Sequence, residues 1–329
     1  MHGFSDIMSI LELLEDSGTA NRLREVADYI NSHPEDFTEA VTKVFGDTAP
    51  SDAVALKQRF LDVVDFLPHK HSIPILERAV SDADSRVRIR GLQAAYRTRV
   101  ESLNSQVLEI LENTSEEFEV RKWAVHILGS SDPGSYGRVL RKLARNSSDD
   151  IGIRKEAVYA LTRVLDDESI GALCTLLGDS ESEIRRSVAW ALSNMKSPES
   201  ICCLLAALED DDEGVRDWSI RALRDMDDSR ALQGLADAIS RSEPKEQVRL
   251  VRLVIERRSE IILRAIAELL SSDDVDVRRV SSWAMGVSPY PPAAASLQTL
   301  KNDSDEQTRD YARTALIRLG EVDPSDLRL

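Results

Sequence analysis

The chain has 329 residues and a formal net charge of −16, since 58 acidic residues outnumber 42 basic ones. This balance argues against general binding to nucleic acids or anionic membranes, because both need an extended positive surface. The sequence has no apolar run that could span a bilayer and no signal-peptide pattern, so we expect a cytoplasmic protein without membrane insertion. Arginine outnumbers lysine 33 to 9. An acidic, lysine-poor surface keeps a protein hydrated at high salt, which predicts a halophilic source.

The N-terminal region, residues 1–66, is predicted to form two degenerate helical units that cap a repeat array. In the first unit Leu23 is followed by arginine, with Ala27 and Ile30 on the same helical face. In the second unit Val54 lies 31 residues after Leu23 but is followed by alanine, so this unit has lost its arginine.

Residues 67–320 repeat one pattern eight times, a residue that leads a buried helix face followed at once by arginine. Seven of these leads are aliphatic and one is threonine, and successive leads lie 33, 33, 31, 31, 33, 29 and 31 residues apart. The pairs are Val87-Arg88, Val120-Arg121, Ile153-Arg154, Ile184-Arg185, Val215-Arg216, Val248-Arg249, Val277-Arg278 and Thr308-Arg309. A period near 30 predicts a stack of like helical pairs, about ten across the whole chain.

Two further positions recur in these repeats. The third residue before the lead is acidic in seven of eight repeats, as expected of a helix N-cap, and Lys245 is the exception. The fourth residue after the lead is small in most repeats, and Arg252 is the exception. Since this position shares a face with the lead, small residues there allow a preceding helix to approach closely. No stretch alternates like a strand, so the predicted fold is all-α.

Three local features differ from the rest of the array. Residues 240–258 depart from the pattern, with Glu256 at an apolar position, and we expect any bend or seam there. The polar segment 321–329 is predicted to be a frayed tail. The three cysteines, which fall in predicted first helices, are odd in number, and this favours buried free thiols over a disulfide or a zinc site. They are Cys174, Cys202 and Cys203.

Residues 150–161 and 212–223 both approximate the signature Asp-x-x-Val-Arg-x-x-Ala-x-x-Ala-Leu. This signature resembles the phycobilisome-lyase-like class of HEAT repeats, well over residues 84–316 and loosely over 19–83. The resemblance implies a right-handed α-α superhelix, a HEAT-like solenoid, whose second helices line a concave face. It also implies that the recurrent Asp and Arg bond within and between neighbouring units. The eight arginines are then structural, and the alternative is a cationic stripe for a long anionic ligand.

The resemblance also brings in two enzyme classes. Some relatives attach or isomerise bilin chromophores, but this sequence shows no recognisable nucleophile–base set, and bilin carboxylates would need a basic pocket. Others hydroxylate a modified lysine with a di-iron centre held by repeated His-Glu dipeptides, whereas this chain has five histidines and no His-Glu pair. We therefore expect no catalytic residues, cofactor or metal site, and keep a bilin lyase or isomerase as the alternative function.

The aromatic residues mark one candidate binding surface. Every tryptophan lies three or six residues after a lead, and two tyrosines and His126 share these positions. The candidate set is Trp123, Tyr159, Trp190, Trp218, Trp283 and Tyr311. The two offsets lie about 60° apart on a helix, so stacked repeats would line the rings along one flank. Large aromatic side chains anchor protein interfaces, and packing between adjacent second helices is the alternative.

A second candidate surface is the positively charged cluster of Arg90, Arg97 and Arg99. This cluster is either solvated helix surface or a docking patch for an acidic partner. Because solenoids expose large surfaces that grip other proteins, the sequence predicts a non-enzymatic scaffold or adaptor whose partners are proteins. A role in signal transduction, for instance in archaeal taxis, is the most specific version of this prediction.

Overall fold

A computed structural model describes residues 20–46, 53–131, 133–164 and 166–322. Within these ranges the regular structure is entirely helical, with nineteen α-helices, a few short 3-10 segments and no strand. The predicted all-α fold is therefore confirmed. The chain divides into two compact units, which are Met1–Val164 and Leu165–Leu329.

The described part of the first unit contains nine helices. They are α1 (Ala20–Ser32), α2 (Pro34–Phe45), α3 (Ala53–Val63), α4 (His69–Val80), α5 (Ser85–Thr98), α6 (Asn104–Glu112), α7 (Phe118–Ser130), α8 (Pro133–Arg145) and α9 (Ile151–Leu161).

The described part of the second unit contains ten helices. They are α10 (Asp167–Leu176), α11 (Ser182–Met195), α12 (Ile201–Ala206), α13 (Glu213–Asp225), α14 (Ser229–Arg241), α15 (Pro244–Val254), α16 (Glu260–Glu268), α17 (Val275–Val287), α18 (Ala294–Leu300) and α19 (Glu306–Leu319).

In each unit the helices form two layers. The leads lie on odd-numbered helices, and each odd-numbered helix contacts the next odd-numbered helix of its unit. From α3 onward, each odd-numbered helix also contacts the even-numbered helix that precedes it in the chain. These stacked helix pairs bury a core of Leu, Ile, Val and Ala, because each helix packs one apolar stripe against its neighbours.

The recurrent acidic residue starts the odd-numbered helices as the sequence predicts. In five of them its carboxylate accepts a hydrogen bond from a backbone amide of the first turn, and each such cap stabilises a helix by about 1 kcal/mol. These caps are Asp84, Asp150, Asp212, Asp274 and Asp305. Lys245 stands at the corresponding position of α15, where Glu243 precedes the helix without a side-chain cap bond.

The small residue four positions after the lead allows the preceding helix to approach closely, and Gly91 in α5 shows why. A Cβ atom placed on Gly91 would lie 2.8 Å from the Cβ of Ala79 and 3.1 Å from its carbonyl carbon, in α4. These distances are too short for real side chains, so α4 and α5 meet almost backbone to backbone.

The prediction of free cysteines is wrong for two of the three residues. Cys174 in α10 and Cys203 in α12 form a disulfide with their Cα atoms 5.5 Å apart, whereas Cys202 is free and exposed. The bonded residues are 29 positions apart, close to one repeat, so they fall on facing sides of consecutive even-numbered helices. An odd cysteine count does not exclude such a pair.

Residues 240–258, where the sequence suggests a seam, lie inside the second unit. The predicted N-terminal section, 1–66, includes residues 1–19 and 47–52, which lie outside the described residues, as does the tail beyond Val322. No described helix has both the length and the apolar character needed to cross a membrane.

Candidate functional site

The arginines that follow the leads bind the turn in front of their own helix. The Nη1 atom of Arg278 donates to the carbonyl oxygens of Ser272 and Asp273, each at 2.9 Å. The same two bonds, to the carbonyls six and five residues earlier, are made by Arg88, Arg185, Arg216 and Arg309. Because a turn leaves carbonyls without helical partners, these bonds fix each turn to the helix that follows it.

Several of these guanidinium groups also reach into the following repeat. Arg278 donates from Nε and Nη2 to the two carboxylate oxygens of Asp303 at 2.7 and 3.2 Å. Arg185 holds Asp210 in the same forked way, at 2.8 and 3.0 Å. The hydrogen bond from Arg278 lowers the pKa of Asp303. These mostly buried groups therefore link one turn to the next. We call the arginines that follow the leads, apart from Arg249, the arginine ladder; they are Arg88, Arg121, Arg154, Arg185, Arg216, Arg278 and Arg309.

A turn aspartate, five residues before the lead, joins consecutive steps of the arginine ladder. The carboxylate of Asp303 accepts from Arg278, while its backbone carbonyl accepts from Arg309. Asp210 has the same position, with Arg185 on its carboxylate and Arg216 on its carbonyl. These aspartates were not predicted from the sequence, although Asp82, Asp210 and Asp303 share the same offset from their leads.

Lysine takes the place of arginine in the unit that begins with Val54. The ammonium of Lys57, two residues after Ala55 in α3, lies 2.6 Å from the carboxylate of Asp82, and both side chains are largely buried. The carbonyl of Asp82 accepts from Arg88, as in the other ladder steps. This unit therefore keeps the ion pair that its sequence seemed to have lost.

Two ladder arginines of the first unit are more deeply buried. Arg121 donates twice to the carbonyl of Leu111, at 3.1 and 3.0 Å, and holds both oxygens of Asp149 at 2.6 and 2.8 Å. Arg154 donates to the carbonyl of Ala144 at 3.0 Å. These contacts favour the structural interpretation of the ladder, because the donors that a long anionic ligand would need are already in use.

Helix α15 does not follow the predicted register. It buries Gln247, Leu250, Val251 and Val254. Gln247 therefore occupies the lead position in place of Val248, and its amide donates to the carbonyl of Ile239 at 3.1 Å. The shift follows from the aliphatic residues, which continue the stripe that starts at 247, whereas the stripe that starts at 248 would bury Arg252.

The register shift changes the contacts of Arg249. This arginine does not bond the turn carbonyls of its own repeat as the ladder arginines do. It pairs instead with Glu246 on its own helix and, in the preceding repeat, with Asp217, and it lies 3.6 Å from the carboxylate of Glu213, the last two residues being in α13. Arg249 thus connects two repeats, but in the opposite direction and with partners that are more exposed than those of the ladder.

The cluster of Arg90, Arg97 and Arg99 is partly neutralised. Arg90 pairs with Asp62 at the end of α3, and Arg97 pairs with Asp65 just beyond it, at 2.9 Å. Both arginines remain about half exposed. Arg99 ends α5 in the left-handed conformation, with φ of 53°. The docking role of this cluster stays a prediction.

The aromatic residues of the first unit pack mainly on each other. The ring of Trp123 lies 5.9 Å from that of Tyr96 and 5.3 Å from that of His126, and His126 is 3.1 Å from the carboxylate of Glu156. This cluster favours the packing alternative at Trp123. Tyr159 in the same unit is half-buried.

In the second unit the aromatic residues are distributed differently. Trp190 is half-buried, and the guanidinium of Arg221 lies 5.8 Å above the ring of Trp218 on the same helix. Trp283 and Tyr311, in contrast, line one open cavity of about 780 Å³. We call this cavity the α15–α19 groove, because its lining comes from α15, α17 and α19.

The α15–α19 groove is lined by eleven residues of one unit. From the α15 side come Pro244, Lys245, Val248 and Arg252, from the α17 side Asp274, Asp276, Arg279, Val280 and Trp283, and from α19 Gln307 and Tyr311. The lining offers aromatic surface, guanidinium and ammonium groups, and the carboxylates of Asp274 and Asp276. A mixed aromatic and charged lining of this kind can bind a ligand.

The contribution of α15 to this groove was not foreseen. The aromatic offsets pointed to Trp283 and Tyr311, whereas Lys245 and Arg252 appeared only as exceptions to the repeat pattern. Those two exceptions were the available signal, since both line the groove. In the described part of the chain, no three His, Cys, Asp or Glu side chains cluster so as to hold a metal ion.

The sequence of the repeats resembles a known family. The model of HEAT repeats matches three overlapping stretches, residues 104–192, 137–224 and 172–253. Residues 104–253 therefore contain HEAT repeats. The matched stretch includes α7, α9, α11 and α13, which carry four of the ladder arginines, and it ends inside α15, where the register changes. No curated protein matches the sequence.

Solved structures support the same HEAT-repeat fold. Kap95p, in a structure with RanGDP, superposes with a TM-score of 0.57 at 12% identity, over 96% of this chain and 50% of that one. Importin beta gives a TM-score of 0.51 at 14% identity, over 97% and 52%. The chain thus spans about half the length of these two proteins. The likeness concerns the fold alone, and together with the HEAT match it confirms the predicted HEAT-like solenoid class.

Proposed function

We propose that this protein is a non-enzymatic scaffold that binds a segment of another protein in the α15–α19 groove. The observation that carries the proposal is the meeting of Trp283 and Tyr311, from neighbouring helical repeats, at one open cavity of about 780 Å³. Tyr311 is 36% exposed, and Trp283 is half-buried. Aromatic rings placed in this way can bury much area on a partner at a low cost in side-chain entropy.

The solved neighbours give this proposal general support. Their titles describe Kap95p with RanGDP and Kap95p in a complex with Nup1, which are protein partners. A HEAT solenoid therefore serves as a protein-binding surface in those cases, and we extend that role, without those partners, to this chain.

We propose a more specific setting on the basis of the sequence. The setting is the cytoplasm of a salt-adapted organism, where the protein would link signalling components such as those of archaeal taxis. Membership in the phycobilisome-lyase-like class would leave bilin handling as the alternative function. A purified protein that carries a stoichiometric chromophore in the visible range would favour that alternative.

Photo-crosslinking from inside the groove tests the scaffold proposal. A photoreactive phenylalanine, p-benzoylphenylalanine, is placed at Tyr311 of the full chain, and the matched control carries it at Gln298, an exposed position on α18 in the other helix layer. We expect discrete protein adducts at Tyr311 that disappear when Trp283→Ala is added, while the melting curve of that variant stays native. The same adducts at both positions, or none at Tyr311, would contradict the proposal.

A further inference from the structure

Some charged side chains of the α15–α19 groove have partners within the chain and others do not, and this difference indicates which kind of partner the groove can bind. The carboxylate of Asp274 caps α17 by accepting from the amides of Asp276 and Val277 at 2.9 and 3.1 Å. Arg279 donates to Asp276 at 2.7 Å and to both oxygens of Asp305 at 2.9 and 3.1 Å. The acidic groups that line the groove and its central arginine are therefore already satisfied.

Two positive groups of the same groove are left over. Lys245 and Arg252 are exposed, and within the described residues neither forms an ion pair or a side-chain hydrogen bond. They stand seven residues apart on α15, so both point from one face, with Val248 between them. One wall of the groove thus presents two free cations around an apolar centre, and Trp283 and Tyr311 supply its aromatic surface.

This arrangement arises where the repeat pattern lapses. In the register predicted from Val248, the position of Lys245 is acidic in the other seven repeats. The position of Arg252 is elsewhere held by small or apolar residues that are buried, as with Gly91 and Ser281. The register shift of α15 rotates both cations away from the helix interface and into the groove.

We infer that the groove takes an acidic, extended peptide segment that carries an apolar side chain. The inference rests on the proposed function and specifies its partner class. Carboxylates of the segment pair with Arg252 and Lys245, since a guanidinium fork and an ammonium are complementary to carboxylate oxygens. The apolar side chain packs against Trp283 and Tyr311. A nucleic acid fits less well, because two cations on a chain of net charge −16 form no extended positive track.

A random dodecapeptide library displayed on phage is the probe. It is selected on the immobilised full chain after removal of phage that bind the Trp283→Ala variant. We expect the enriched peptides to combine Asp or Glu with at least one apolar residue. Enrichment of basic or uncharged peptides would overturn the inference while leaving a peptide-binding groove, and no enrichment together with no adduct at Tyr311 would overturn the proposed function as well.

Charge reversal then tests the assigned cations with an enriched peptide, labelled with fluorescein and followed by anisotropy. The double variant Lys245→Glu/Arg252→Glu should weaken binding by roughly tenfold or more. The control Arg264→Glu reverses an exposed arginine on α16, in the other layer, and should leave affinity within about twofold, since rim charges far from a site act only weakly. Equal losses in both variants would contradict the assignment. Competition by single-stranded DNA or biliverdin that depends on Arg252 would show that the groove serves another ligand.

Discussion

Helices α15 and α17 are neighbours in the second unit, yet they use their charged residues in opposite ways. In α17, Asp274 caps the helix and Arg278 is held by two carbonyls and by Asp303. In α15, Lys245 cannot cap, and Arg252 faces the groove without an intrachain partner among the described residues. Where the repeat pattern holds, the charged side chains bond to their own repeat and to the next one. Where α15 departs from the pattern, Lys245 and Arg252 have no such partner among the described residues and are available to a ligand.

The comparison is tested most strongly by removing one arginine from each helix. Arg278→Ala should lower the free energy of unfolding by about 3 kcal/mol, because it leaves the mostly buried Asp303 and two carbonyls without their donor. Arg249→Ala should cost about 1 kcal/mol or less, since its partners are exposed enough to be hydrated. Urea unfolding of the two variants measures the difference. Equal losses would show that Arg249 is as structural as the ladder.

The fourth position after the predicted lead offers a second contrast. Gly91→Ala should destabilise the protein by about 1–3 kcal/mol, because the new methyl group meets Ala79 at 2.8 Å and α4 must shift. Arg252→Ala, at the same predicted position, should change stability by no more than about 0.5 kcal/mol. Thermal melting of both variants checks this pair. A large loss in Arg252→Ala would mean that α15 keeps the common register after all.

Acid titration extends the comparison to two carboxyl groups, because the fold lowers the pKa of one and raises the pKa of the other. The side chain of Arg86 lowers the pKa of Asp84 from 3.8 to about 2. A depressed folded-state pKa stabilises the protein above the unfolded value, so this contribution is lost as the pH falls from about 4 to 2. Burial raises the pKa of Glu246 on α15, which has the reverse effect, since its cost disappears as the pH falls through that raised value.

The measurement for these carboxyl groups is the melting temperature between pH 6 and 2.5. Asp84→Asn should flatten the acid-side loss, because asparagine can still cap the helix but does not titrate. Glu246→Gln should steepen it by removing a compensating group. Two variants with the wild-type slope would contradict the assigned directions.

The smallest expected effect concerns the environments of two tryptophans. In single-tryptophan variants made with phenylalanine elsewhere, acrylamide should quench Trp283 more steeply than Trp123, whose ring packs against those of Tyr96 and His126. Complete protection of Trp283 in the free protein would favour the packing alternative and weaken the case for the groove.

The periodic features of this protein could be predicted from its sequence, and the side-chain directions could not. Helix starts at Asp84 or Asp274 follow from a local rule and appear where the pattern places them. The register of α15 was misjudged because Val248-Arg249 imitates the common pair, while tertiary packing selected the more aliphatic stripe that begins at Gln247. The register of a helix depends on how it packs against neighbouring repeats, and the sequence of that helix alone does not show this packing.

The contacts between repeats were harder to foresee for the same reason. The sequence shows a recurrent arginine, but only packing shows that Arg185 and Arg216 meet at the two ends of Asp210. Likewise, Cys174 and Cys203 are separated by most of a repeat and meet because consecutive even-numbered helices lie side by side. A contact across one repeat period is invisible to any rule that considers a single helix.

The bond between Cys174 and Cys203 closes a covalent ring that includes helix α11, which lies between the two cysteines in the chain. Stacked repeats can unzip progressively from either end, because each contacts only its neighbours. The disulfide keeps α10 and α12 close to each other even when α11 unfolds locally. Because its packing partners stay nearby, α11 refolds onto them quickly, and unfolding does not spread easily past this point. We therefore expect amide hydrogen exchange to be slowest around α11 in the oxidised protein, and this local maximum to flatten when a reductant opens the ring.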